Sequence, residues 1–247
     1  MVMSTSRNFS RELFSIDNGV SHIAVDLLKV LKDRYNYRKL SNLTGIPVST
    51  LTRYLTGKTI PKGSKARRLL KNLILNLNTS SLISQFTKDG GIIDVSKIMF
   101  NPSMIKIIGA HIVNEFAGMK ITSFMALDLL SIPLTSYLST ITSRHFYIIT
   151  REPIPADSHE FFTIILNDSE SIWSICYWVY FNQIKKRESI LMISTNIPES
   201  VFFGKLIEIL EKKNVEIVGL FSLIGSEEEF SRLPLKSGCK KYYILSR

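Results

Sequence analysis

The run ILMISTNIPESVFFGKLIEILEKKNVEIVGLFSLI, residues 190–224, holds a strand, a helix and a second strand in succession. Residues 190–194 are a short apolar block, and residues 201–213 repeat apolar positions at helical spacing with Lys and Glu between them. Residues 215–224 return to an apolar strand pattern. A helix between two strands implies a parallel pair, because parallel strands need a crossover that runs back along the sheet.

Outward from this run the same alternation continues. Residues 121–127 and 146–150 read as strands, and residues 103–116 and 133–141 as helices. Residues 161–166 read as a strand, residues 172–179 as strand or helix, Asn167-Asp168-Ser169-Glu170 as the turn between them, and residues 242–245 as a last strand. The expectation for residues 102–247 is a mostly parallel α/β sheet flanked by helices, with any ligand at the carboxyl ends of its strands.

The N-terminal part is expected to be helical, so the fold class is α + α/β. Residues 21–34 read as a helix capped by Ser21. Residues 37–43 and 48–56 read as two short helices, with Gly45 supplying the positive φ of the turn and Pro47 suited to a first helical turn. A further helix from Ser64, as its cap, carries Lys65, Arg67, Arg68 and Lys71 on its outer face. Val48, Leu51 and Leu55 are assigned inward, leaving Ser49, Thr50, Thr52 and Arg53 on a polar face that suits base reading. Ser41, Gly45, Ile46, Leu51, Tyr54-Leu55 and residues 57–61 together resemble the helix-turn-helix of bacterial and archaeal regulators. Double-stranded DNA is therefore the expected partner, with Arg38, Lys39, Lys58, Lys62, Arg67 and Arg68 on phosphates.

Charge points the same way. Residues 29–72 hold 12 Lys or Arg and one acid, Asp33, against a formal net charge of +10 for the whole chain. A solvated face would mix signs, whereas a phosphate-facing surface is poor in carboxylates. The expected organisation is a DNA-binding domain at 1–78, a packed linker at 79–101 with a Lys88-Asp89-Gly90-Gly91 turn, and a second domain at 102–247.

An apolar content of 45% over 247 residues is enough for a real core and excludes wholesale disorder. Cys176 and Cys239 offer neither a disulfide framework nor zinc-ligand spacing. No stretch approaches the ~18 to 20 apolar residues of a membrane span, so a soluble cytoplasmic protein is expected.

From residue 94 to residue 224 the order of elements resembles the type I phosphoribosyltransferase domain of purine-repressor-like and archaeal regulators. Residues 121–127 followed by Ile132-Pro133-Leu134 are similar to that family's first strand and pyrophosphate-side loop. Arg151 stands where the family often has a basic residue, and residues 187–193 resemble the strand that leads to the phosphoribosyl-pyrophosphate loop. The departures are chemical: Ser194-Thr195 stand where the family has paired carboxylates, and Asn196-Ile197-Pro198-Glu199-Ser200 lacks the glycines of a phosphate cradle. Glu199 adds a negative charge where a phosphate would sit, and Ser131 replaces a family glycine.

The resemblance with these departures implies a dimeric, sequence-specific transcription regulator whose second domain is not an enzyme, needs no cofactor and binds a nucleotide-like effector. The residues expected to line that site are Arg151, Ser194, Thr195, Asn196 and Ser200. An active phosphoribosyltransferase with a basic appendage, and an RNA-binding or architectural protein, are the two alternatives. His22, His111, His145 and His159 show no metal-ligand spacing. Trp173, Tyr177, Trp178, Tyr180 and Phe181 form the densest aromatic patch, read as core or dimer interface ahead of a ligand-stacking wall.

Overall fold

Eighteen short segments of regular structure follow from these patterns in a computed structural model that describes residues 16–87, 92–155, 161–167, 174–180 and 187–246. They fall into two compact units, Met1–Leu73 and Ile74–Arg247.

The first unit is helical: α1 (Ile16–Lys32), α2 (Tyr37–Thr44), α3 (Val48–Leu55) and the start of α4 (Gly63–Leu75). Asn36 caps α2 by accepting the Lys39 N–H at 2.9 Å, and Gly45, at φ +68°, closes it with its own N–H on the Ser41 carbonyl. Leu40, Leu51, Leu69 and Leu73 are fully buried in this unit. Three local expectations are corrected. Ser21 lies inside α1 and is buried, so it is not a cap. Ser64 is the second residue of α4, which starts at Gly63. Val48 is 39% exposed, and Tyr54 takes the inward place because residues 51 and 54 share the buried side of so short a helix.

The second unit opens with α5 (Thr79–Ser84), α6 (Val95–Met99) and α7 (Pro102–Glu115), so residues 79–101 carry two short helices. The Lys88–Gly91 turn, the turn at 168–170, Trp173, Phe181 and His159 lie outside the described residues. Next come β1 (Ser123–Ala126), a 3-10 turn (Leu129–Ser131), α8 (Ile132–Thr142), β2 (His145–Thr150), β3 (Phe161–Asn167) and β4 (Ser174–Tyr180). The chain ends with β5 (Ser189–Asn196), α9 (Ser200–Lys212), β6 (Glu216–Gly225), α10 (Glu227–Ser231) and β7 (Lys240–Ser246).

One sheet takes all seven strands in the order β3-β4-β2-β1-β5-β6-β7. From β2 to β7 every pairing is parallel, and β4 runs antiparallel to both β2 and β3. Residues 174–180, open between strand and helix in the sequence, are strand because they register against Phe161–Asn167 along their whole length. β5 is buried from Ser189 through Thr195, as a central parallel strand covered on both faces must be. Met125, Tyr147, Ile149, Met192 and Leu220 meet Phe202, Phe203 and Leu206 of α9 on one face. α8 packs on β1 and β2.

His111 on α7 is held by the Thr79 hydroxyl at Nε2 (2.7 Å) and the Tyr242 hydroxyl at Nδ1 (3.3 Å). Burial pulls its pKa below the ordinary histidine value, partly offset by Glu115. The neutral ring is therefore favoured by folding, so its contribution is complete above about pH 6.5 and is lost as pH falls below it. Urea titrations between pH 7.5 and 5 should show stability falling with acidity, and His111→Gln should flatten that slope; an unchanged slope would assign the acid sensitivity elsewhere.

Candidate functional site

A cleft of about 690 Å³ opens at the carboxyl ends of β1, β2 and β5, where an open parallel sheet leaves room for a ligand. Leu127–Leu129 follow β1, residues 149–154 run off β2, and residues 194–199 close β5 and lead into α9. Tyr177 from β4 and Phe202 from α9 complete the wall.

Arg151 lies just past β2 and is exposed, with its guanidinium carbon 5.6 Å from the centre of the Tyr177 ring. Tyr177 in turn packs on Phe202 at 4.2 Å between ring centres. This ladder gives the cleft one planar cation backed by two aromatic rings. The loop behind it is held from two strands: the Tyr180 hydroxyl of β4 donates to the Ile154 carbonyl at 3.1 Å, and the Thr150 hydroxyl at the end of β2 donates to the Glu152 carbonyl at 2.6 Å.

The end of β5 is less open than its sequence suggests. Ser194 is buried and its hydroxyl points to the Phe221 carbonyl at 3.3 Å. Thr195 is 4% exposed, and its N–H donates to an Asp128 carboxylate oxygen at 2.7 Å. Asn196 is exposed, with its amide nitrogen 3.4 Å from the Thr195 hydroxyl. Ser200 opens α9 and donates to the Arg232 carbonyl at 3.0 Å. Arg151, Ser194, Thr195 and Asn196 thus share the cleft lining, while the Ser200 hydroxyl is engaged at the end of α10. Glu199 is the N-cap of α9, is exposed, and makes no side-chain cap bond.

Asp128, also in the cleft lining, is absent from the residues the sequence points to. Its Oδ1 accepts the Ser131 N–H at 2.9 Å, and its own N–H donates to the Ser131 hydroxyl, a capping box around the Leu129–Ser131 turn. The signal was present as Asp-Leu-Leu-Ser, with Ser131 read only as a missing glycine. Burial pushes this carboxyl up, and the Thr195 and Ser131 N–H donors pull it part of the way back.

The residues expected to face DNA all lie in the first unit. Arg38, Lys39, Ser49, Arg53, Lys58, Lys62, Arg67 and Arg68 are exposed, and Thr50 and Thr52 are half-buried. The Thr52 hydroxyl donates to the Val48 carbonyl at 2.9 Å within its own helix, and the Lys39 ammonium sits 5.2 Å from the centre of the Tyr35 ring. Among the described residues no three His, Cys, Asp or Glu gather as a metal site, and no helix is long and apolar enough to cross a membrane.

No protein-family model and no curated protein matches the chain. Solved structures do. Adenine phosphoribosyltransferase from Rhodothermus marinus is 14% identical with a TM-score of 0.55, over 70% of this chain and 100% of that one. The adenine phosphoribosyltransferase of Thermoanaerobacter pseudethanolicus is 8% identical with a TM-score of 0.54, over 68% and 99%. The Trypanosoma brucei enzyme, in complex with AMP, pyrophosphate and ribose-5-phosphate, is 12% identical with a TM-score of 0.52, over 69% and 80%. These matches overturn the reading of the chain as a helix-turn-helix, DNA-binding transcription regulator and the expectation that it is not an enzyme. That reading rested on a short phrase and a local charge excess, whereas the shared fold spans about the whole of two transferase chains. The architecture is α + α/β, and its sheet unit has the type I phosphoribosyltransferase-like fold.

Proposed function

We propose that the second unit transfers a phosphoribosyl group from phosphoribosyl pyrophosphate to a purine-type base. The observation that carries this reading is the Arg151–Tyr177–Phe202 ladder facing the end of β5 across one cleft. In such a transfer a base nitrogen bonds to the anomeric carbon and the bond from that carbon to the pyrophosphate oxygen breaks. Pyrophosphate leaves with the electron pair, and the base proton goes to water. A fixed guanidinium suits the charge that grows on the leaving group, because it is paid no reorganisation at the moment of reaction. Flat apolar rings suit a heterocyclic base. Asn196 and the Thr195 hydroxyl offer neutral hydrogen-bond partners to ribose hydroxyls where the resembling family uses carboxylates.

The test is release of pyrophosphate from magnesium phosphoribosyl pyrophosphate, with adenine, hypoxanthine, guanine or uracil as acceptor. Base-dependent release is expected, and Arg151→Ala should lower kcat/KM by roughly 10- to 100-fold, the worth of a charged hydrogen bond. No release with any base would end this reading.

Glu199 opposes the anionic substrate from the mouth of the cleft. Glu199→Gln is expected to tighten ribose 5-phosphate binding by roughly twofold to fivefold at low salt, with the gain shrinking as salt screens the charge. Calorimetry of both proteins at two ionic strengths checks this; equal affinities would place the phosphate away from α9.

A further inference from the structure

We propose that Asp128 is a positioning residue that locks the end of β5 in place for the phosphoribosyl group, an inference that rests on the transferase reading of the cleft. β1 and β5 pair in parallel as far as Ala126 and Ile193, and the Leu127 N–H still reaches the Ile193 carbonyl at 2.9 Å. Beyond that point β1 leaves the sheet into the Leu129–Ser131 turn, while β5 stays paired with β6 as far as Asn196 and loses its ladder partner on the β1 side alone. A strand edge that has run out of ladder partners is free to open to solvent. Here a side chain extends the pairing. One Asp128 oxygen takes the Ser131 N–H of its own turn at 2.9 Å, and the other takes the Thr195 N–H at 2.7 Å.

Each oxygen of Asp128 is engaged by a backbone N–H, one from its own turn and one from β5. Asp128 therefore acts through the chain it holds. It holds Thr195, and with it Asn196, the two residues of β5 whose polar groups reach the cleft with Arg151. Ser194 cannot serve in this way, because its hydroxyl is turned into the sheet.

Asp128→Asn keeps the shape and replaces one acceptor oxygen with a donor, so either the Thr195 or the Ser131 N–H loses its partner. The expected result is a KM for phosphoribosyl pyrophosphate raised about 10-fold or more, with the KM for the base and the thermal midpoint close to wild type. Loss of midpoint together with both KM values would make Asp128 an ordinary structural residue and overturn the inference. So would an unchanged KM. Amide hydrogen exchange separates this inference from the transferase reading. The Thr195 amide should be protected in the wild type and exchange at least 10-fold faster in Asp128→Asn. Equal exchange in the two proteins would remove the lock even if the enzyme turns over. A wild type that releases no pyrophosphate while protecting Thr195 would refute the transferase reading, and with it the catalytic purpose of the lock.

Discussion

Gly219→Ala should destabilise the second unit by about 3 kcal/mol or more, at the upper end of what overpacking a core costs. Gly219 sits in β6 at the pairing with Lys240 of β7, and a Cβ there would stand 2.3 Å from a Phe116 ring carbon and 2.9 Å from the Lys240 carbonyl oxygen. Neither neighbour can yield. Phe116 is 1% exposed at the end of α7, and the carbonyl belongs to the sheet backbone. The cost is therefore steric, since Gly219 has no positive φ to explain its identity. Phe116→Leu in the same chain should recover part of the loss, because a smaller side chain opens the volume the methyl needs. Urea midpoints of the two single variants and the double variant give the coupling. A Gly219→Ala midpoint within experimental error of wild type would mean that α7 does not lie against β6 in this way.

Glu188→Ala should be comparably damaging, about 3 kcal/mol, because it leaves buried hydroxyls without an acceptor as well as a cavity. Glu188 precedes β5 at the amino ends of the strands and is 5% exposed. Its Oε2 accepts from the Ser123 hydroxyl of β1 and the Tyr147 hydroxyl of β2, each at 2.8 Å. Burial, and then the bond to Glu188, drive the Tyr147 phenol well above its ordinary range, so it stays a neutral donor throughout the working pH range. One carboxylate thus ties β1, β2 and β5 at the edge opposite the cleft. Glu188→Gln keeps an acceptor oxygen and should cost about 1 kcal/mol, the scale of one ordinary hydrogen bond against a charged one. If the Ala and Gln variants lose equal stability, packing volume rather than hydrogen bonding is the role of this side chain.

The two carboxylates were unequally legible. Glu188 sits in a stretch read as leading into a strand, yet nothing local says that it will be buried, because Ser123 and Tyr147 lie 65 and 41 residues away. Asp128 had a local sign in its capping box, but its second oxygen answers to Thr195, 67 residues on. Residues 194 and 195 carry no acid, and the carboxylate at that place comes from the turn that follows the neighbouring strand β1. The basic residues of 29–72 stand together in one stretch, whereas no single stretch displays the cleft.

Legible in the sequence were the alternation of strand and helix from residue 121 onward, the Gly45 turn, the apolar block at 190–194 and the concentration of positive charge in residues 29–72. Each is a property of near neighbours, carried by side-chain periodicity, backbone sterics or a count of charges. Contacts between distant segments set β1 between β2 and β5, turn β4 antiparallel, and stack Arg151, Tyr177 and Phe202 in one wall. Strand order and register arise from many weak contacts between distant segments, and a pattern of period two or 3.6 does not say which strand will be the neighbour.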